Sequence, residues 1–177
     1  GSSFGVYGIK GYDFDIAMPS KEHCSGSKHT DFAVSVDPSM GAEEASRRRD
    51  FTINALMYDV EADEIVDCHN GCNDLANKTI RHVCDDTYIE DALRVFRAAQ
   101  FAARFGFNIA SDTIALSRSI SGKLPALSGE RVEAEMRKAL IKSENPSVFF
   151  RMLVEMDALD YWFPELSALI ETQQAPE

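Results

Sequence analysis

Along the first third of the chain, apolar and polar residues alternate in short runs separated by glycines and polar tracts, the period-two signature of strands. "FGVYGIKGYDFDIAM" (4–18) alternates around its glycines and predicts strands joined by a turn. The polar residues 19–31 predict mostly loop, and "FAVSV" (32–36) predicts another short strand. "DPSM" predicts a helix start with Ser39 as N-cap and with Glu43 and Glu44 in the early turns. "INALMYDV" and "EIVD" predict a hairpin around "EADE", which lacks the glycine usual in such turns. "DLANK" predicts a short helix and "TIRHV" a strand.

From about residue 86 the period changes to that of a helix. "DTYIEDALRVFRAAQFAARFGF" predicts one long helix, ended by Gly106 as C-terminal glycines usually end helices. "SDTIALSRSI", "SGERVEAEMRKALI" and "NPSVFFRMLVEMDAL" predict three more, each opening on a Ser or Asn able to cap it. The sum is an α+β chain, strand-bearing to residue 84 and helical beyond it. At about 100° per residue, Glu90, Arg94, Arg97 and Arg104 share an arc of roughly 80°, with Asp91 on its edge and Phe101 inside it. The rest of that helix is apolar, so the charged strip is expected to face a cleft rather than open water.

The formal charge of −11 over 177 residues makes any basic surface local. Residues 152–177 hold no Lys or Arg and are not expected to contact phosphates. No apolar run approaches the roughly 18–20 residues of a membrane span, and no signal-peptide pattern is present. The cysteines, Cys24, Cys68, Cys72 and Cys84, form no paired CxxC frame. They predict buried or incidental thiols in a reducing cytoplasm, not a disulfide scaffold. "CHNGC" with His82 and Cys84 matches no standard zinc spacing. Against this acidic background "EEASRRRD" (43–50) stands out. Glu43 and Glu44 lie four residues before Arg47 and Arg48, the favoured order for helical ion pairs, while Arg49 is left over beside Asp50.

Together, "EEASRRRDFTINAL", "DCHNGCNDL", "EDALRVFRAAQFAARFGF" and "LSGERVEAEM" resemble the motifs of the class II nucleotidyltransferases, in the family's order and spacing. These are the tRNA CCA-adding enzymes and the bacterial poly(A) polymerases. The resemblance implies a partial palm, or head, over 1–84, a helical neck that holds the incoming nucleotide over 85–145, and the start of a helical body over 146–177. It implies template-independent addition of CMP and AMP to the 3′ end of tRNA, or of AMP to RNA, by a two-metal mechanism with Mg²⁺. The implied partners are CTP, ATP and the 3′ end of tRNA or another RNA, with neither DNA nor a membrane, in the cytoplasm. Two rival readings are a non-catalytic RNA- or nucleotide-binding remnant of the family and a helical protein-binding adaptor.

Carried over residue by residue, the resemblance places Arg49, Asp50 and Asn54 in the nucleotide pocket. A guanidinium suits phosphate oxygens, and the two shorter side chains could receive ribose hydroxyls. Asp91 and Arg94 would select the base, Arg97 and Arg131 would complete the nucleotide-binding set, and Arg47 and Arg48 would be surface residues. The family's first motif is absent: no glycine-rich turn or GG-x-V-R-D precedes "DFD". Asp15 best matches the third carboxylate, on a later palm strand, and is expected to be catalytic and a metal ligand. Asp13, two residues back and so on the same strand face, is the second candidate metal oxygen. Such metals lower the pKa of the attacking hydroxyl and neutralise the triphosphate. "DCHNG" stands where many relatives have "DPFGG". The chain thus reads as a fragment beginning after the main metal motif, and its opening Gly1-Ser2-Ser3 as a processed or recombinant start. The 177 residues alone are expected to be weakly active or inactive.

Overall fold

The computed structural model describes residues 6–8, 10, 11, 13, 15–17, 20–24, 32–37, 39–170 and 172. Expectations for residues 25–31 and Pro38 lie outside them. Small two-stranded sheets come first and helices follow, so the chain is α+β as the pattern predicts. Its contacts divide it into two compact units, Gly1–Ser46 and Arg47–Glu177. The sequence division at residue 84 follows the change from strands to helices, whereas this division follows packing.

In the first unit, β1 (Val6–Gly8) and β2 (Asp15–Ala17) form the expected antiparallel pair, with Gly8 opposite Asp15. The strand β4 (Phe32–Val36) pairs antiparallel with β3 (Ser20–Cys24), inside the segment expected to be loop. "SKEHC" has no apolar alternation of its own, and its strand is set by the partner rather than by its pattern. The helix α1 (Ala42–Arg47) starts later than expected. The N–H and hydroxyl of Ser39 both donate to Asp37 Oδ1, at 3.1 and 2.6 Å, so Ser39 closes a turn and does not cap the helix.

In the second unit, residues 50–52 run antiparallel to 81–83. The Thr52 N–H donates to Arg81 O at 2.9 Å, the Val83 N–H to Asp50 O at 3.3 Å, and Phe51 bridges His82. "TIN" is a single 3-10 turn, Thr52–Asn54, not the start of a strand. The expected hairpin is β5 (Met57–Asp59) against β6 (Glu64–Val66). Its missing glycine is replaced by Asp63, which holds φ 58°, while Asp59 Oδ1 accepts the N–H groups of Glu61 and Ala62.

The helix α2 (Gly71–Ala76) opens earlier than "DLANK" suggests. The Asp67 carboxylate accepts the N–H groups of His69, Gly71 and Cys72 and so organises the turn. Desolvation works against the Asp67 charge, but those N–H groups outweigh it and hold the carboxyl below its usual range. Cys68 and Cys84 are half-buried and Cys72 is exposed, all as free thiols, so of the two expected kinds these are incidental rather than buried. Gly71 is needed for a close approach: a Cβ there would stand 2.3 Å from the Thr52 carbonyl oxygen. Gly71→Ala must push α2 away from the Thr52 turn. A urea titration is expected to show a loss of about 1–3 kcal/mol, and an unchanged midpoint would contradict the close approach.

The strand β7 (Thr79–Ile80) pairs in parallel with β8 (Asn108–Ile109). The predicted long helix is two helices, α3 (Asp85–Glu90) and α4 (Leu93–Phe105), because Asp91 is extended, at φ −128° and ψ 96°. Asp91 acts as the N-cap of α4: its Oδ1 accepts the Leu93 N–H at 3.2 Å and its carbonyl the Arg94 N–H at 3.0 Å. Gly106, at φ 65°, ends α4 as expected.

Val95, Phe96, Ala98, Ala99 and Ala102 of α4 are fully buried. The small side chains of Ala98, Ala99 and Ala102 leave room for α6 (Gly129–Lys142) and α7 (Ser147–Glu155) to pack on α4. With α5 (Ser111–Ser119) these are the three further helices expected, but none is closed by a side-chain cap hydrogen bond. The short helices α8 (Leu159–Trp162) and α9 (Pro164–Leu169) follow. No described helix is long and apolar enough to cross a membrane.

Candidate functional site

A cleft of about 560 Å³ opens in the second unit where the "RRRDFTIN" segment, the start of α4 and the start of α6 converge. It gathers Arg49, Asp50, Asn54, Asp91, Arg94, Arg97 and Arg131, together with Arg48 and Leu93. Five arginines and two aspartates therefore share one lining in a chain of charge −11. Arg104, expected on the same strip, is exposed beyond the cleft with its guanidinium 5.1 Å from the centre of the Phe105 ring.

The pairing of 50–52 with 81–83 carries Asp50 to the side of α4. Its carboxylate is nearly buried and fully engaged. Oδ1 accepts the Phe51 N–H at 2.8 Å and Asn54 Nδ2 at 3.0 Å. Oδ2 accepts both Nε, at 2.7 Å, and Nη2 of Arg97. Asp50 thus holds its neighbours in place, and its oxygens do not stand open for a ribose hydroxyl as the resemblance suggests. The Arg97 guanidinium also lies 5.4 Å from the Phe101 ring centre and 3.6 Å from Glu135 Oε1.

The break between α3 and α4 turns Asp91 out of the helical ladder. Its Oδ2 accepts Arg131 Nη2 at 2.7 Å, an ion pair between α6 and the α4 cap, in place of an i,i+3 pair with Arg94. Arg94 Nη2 donates to Arg48 O at 2.8 Å, and its Nη1 is buried without a partner among the described residues. Burial pulls the Arg94 pKa down, while the charges of Asp50, Asp91 and Glu90 oppose the shift. Arg48, expected as an ordinary surface residue, lines the cleft and donates to Glu90 Oε2 at 3.2 Å. Arg47 donates to Cys84 Sγ at 3.4 Å. Arg49 is exposed in the lining and makes no side-chain hydrogen bond or ion pair among the described residues.

Asp13 and Asp15 belong to the first unit. Asp15 opens β2, but Asp13 stands in a bend before that strand, so strand alternation does not put the two on one face. Among the described residues no three His, Cys, Asp or Glu side chains form a metal-holding group. The arginine-rich lining of the cleft repels a cation and does not fit Mg²⁺. Sequence reasoning passed over Glu135. Its signal was its place at i+3 from Val132 and i−4 from Ala139, on the buried face of α6.

Residues 12–81 match the family model described as the poly A polymerase head domain. Residues 106–170 match the model described as the probable RNA and SrmB-binding site of polymerase A. The Multifunctional CCA protein of Stenotrophomonas maltophilia (strain K279a) is 45% identical over 168 residues, covering 92% of this chain and 41% of that protein. The crystal structure of the Bacillus stearothermophilus CCA-adding enzyme in complex with CTP superposes with a TM-score of 0.73 and 28% identity, covering 91% of this chain and 38% of that one. A CCA-adding enzyme in complex with ATP superposes with a TM-score of 0.61 and 29% identity, covering 74% and 31%. The chain spans about two fifths of the length of the curated relatives it matches. From its motifs, both family models and these neighbours, the chain belongs to the class II nucleotidyltransferases, the family of tRNA CCA-adding enzymes and bacterial poly(A) polymerases.

Proposed function

We propose that the cleft binds CTP and ATP for a template-independent nucleotidyltransferase that adds CMP and AMP to the 3′ end of tRNA, or AMP to another RNA. The observation that carries this reading is the convergence of five arginines on one cleft in a strongly acidic chain. Guanidinium groups donate several N–H bonds to phosphate oxygens, and such a concentration of positive charge has a polyanion as its natural occupant. Arg49, exposed and unpaired, is the readiest phosphate contact. Asp91 and Arg94 would meet the base. The structural neighbours in complex with CTP and with ATP support the same pair of ligands.

In this reading residues 1–84 are the partial head, 85–145 the nucleotide-holding neck and 146–177 the start of the body, working in the cytoplasm. Mg²⁺ is the family's cation, and by the resemblance Asp15, with Asp13, would supply carboxylate oxygens to it. When bound, the metal would activate the RNA 3′-hydroxyl and screen the triphosphate.

The test is calorimetry of CTP with the 177-residue protein, followed by competition with inorganic triphosphate. CTP is expected to bind, and triphosphate to displace it, because the arginines hold phosphates whatever base they carry. Affinity should fall as salt rises. No heat from either CTP or ATP at millimolar concentration would overturn the reading.

A further inference from the structure

The contact between Asp50 and Arg97 has an unusual form. Both Arg97 donors, Nε and Nη2, reach the same oxygen, Asp50 Oδ2, while Oδ1 is taken by Asn54 and the Phe51 N–H. A fork-to-fork pair on two oxygens fixes the plane of a guanidinium, whereas two bonds to one oxygen leave that oxygen a pivot. Something else must stop Arg97 from turning.

The structure places Glu135 there. It projects from the buried face of α6, and its Oε1 stands 3.6 Å from Arg97 Nη1, on the guanidinium edge away from Asp50. The same Oε1 accepts Lys138 Nζ at 2.8 Å, and Oε2 is buried with no hydrogen-bond partner among the described residues. A buried carboxylate with one oxygen unsatisfied is a poor stability device, since an apolar side chain of similar size usually serves the fold as well or better. The charge faces two cations, Lys138 at 2.8 Å and Arg97 at 3.6 Å. The ring of Phe101 covers one face of the guanidinium at 5.4 Å and limits tilting, but not rotation in the plane.

We infer that Glu135 is a positioning residue that, with Asp50, locks the plane of Arg97 and so sets the N–H groups Arg97 presents to a triphosphate. Asp50 anchors one edge, Glu135 restrains the other, and Lys138 draws off enough of the Glu135 charge to keep it from capturing Arg97 outright. This rests on the reading of the cleft as a nucleotide site. Glu135 acts through Arg97 and touches no ligand itself.

The test is Glu135→Gln, which keeps the shape and removes the charge. The dissociation constants of CTP and of inorganic triphosphate are expected to rise together by about three- to tenfold, as a freed side chain must be ordered again on binding. The ratio of CTP to UTP affinity should stay fixed, and the melting temperature should not fall. A purely structural role predicts the reverse, a lower melting temperature with unchanged affinity. Unchanged or tighter triphosphate binding would overturn the proposal, the tighter result making Glu135 only a competing anion. A second readout needs no nucleotide: a double-mutant cycle of Glu135→Gln with Arg97→Met in chemical unfolding. Coupling between the two is expected, and additivity would overturn the proposal even if the unmodified chain bound no CTP, a result that would separately sink the nucleotide reading.

Discussion

CTP and ATP are expected to bind this chain more tightly than UTP and GTP, and Asp91→Asn is expected to narrow that difference without unfolding the protein. Cytosine and adenine each present an amino donor beside a ring-nitrogen acceptor, where uracil and guanine present a carbonyl. The Asp91 carboxylate is all acceptor. Its two hydrogen bonds, from the Leu93 N–H and Arg131 Nη2, leave lone pairs for an amino group. Arg94, which also lines the cleft, would add the complementary donor. A uracil or guanine carbonyl set against Asp91 would leave acceptor facing acceptor. One unmatched polar group costs on the order of 1–3 kcal/mol, or about one to two decades of affinity.

Asparagine is the more telling substitution because Asp91 also caps α4. Removing the cap with alanine would lower stability by about 0.5–2 kcal/mol and blur the result, whereas asparagine caps as well as aspartate. Its amide can turn either an acceptor or a donor toward the base, so discrimination should fall while the melting temperature holds. Calorimetry with the four nucleotides decides it. Equal binding of all four to the unmodified protein would reduce Asp91 to the cap and the Arg131 ion pair it already makes.

This double use of Asp91 also marks the limit of what the sequence could reveal. The face of α4 was legible because burial repeats at the helical period, leaving Arg94, Arg97, Phe101 and Arg104 as the strip outside the core. Gly106 was legible for a local reason, the left-handed conformation that glycine adopts without strain. The break before α4 was not, because both halves bury apolar residues in one core and the period runs through it. At the break the Leu93 N–H turns to the Asp91 carboxylate, and the Ile89 carbonyl that it would reach in a continuous helix accepts Lys123 Nζ instead. The strand β3 was invisible for the opposite reason: its pairing lies in its neighbour. Arg48 and Glu135 depended on tertiary approach. Arg48 faces Glu90 from 42 residues away, and Glu135 meets Arg97 across a helix pair.

Asp50→Ala is expected to give the largest loss, both of stability and of nucleotide binding. The substitution removes four hydrogen bonds at once, from the Phe51 N–H, Asn54 and two atoms of Arg97. It leaves the guanidinium of a side chain only 31% exposed without its main partner. Deleting one member of a fully buried pair costs about 3–5 kcal/mol, and partial access of water to Arg97 should bring this to about 2–3 kcal/mol. That is a large fraction of the roughly 5–15 kcal/mol that holds a typical domain together. Freed from Asp50, Arg97 would turn toward Glu135, 3.6 Å from its Nη1, and withdraw from the cleft. CTP affinity should therefore fall beyond what the loss of folded protein explains. The double substitution Asp50→Ala with Arg97→Met tests the cause. If an orphaned charge is the main penalty, removing that charge as well should restore part of the stability, making the pair less damaging than Asp50→Ala alone. Urea midpoints for the two single variants and the double variant measure this directly. Strictly additive losses would mean that Asp50 stabilises the chain through the Phe51 and Asn54 bonds, with Arg97 a bystander.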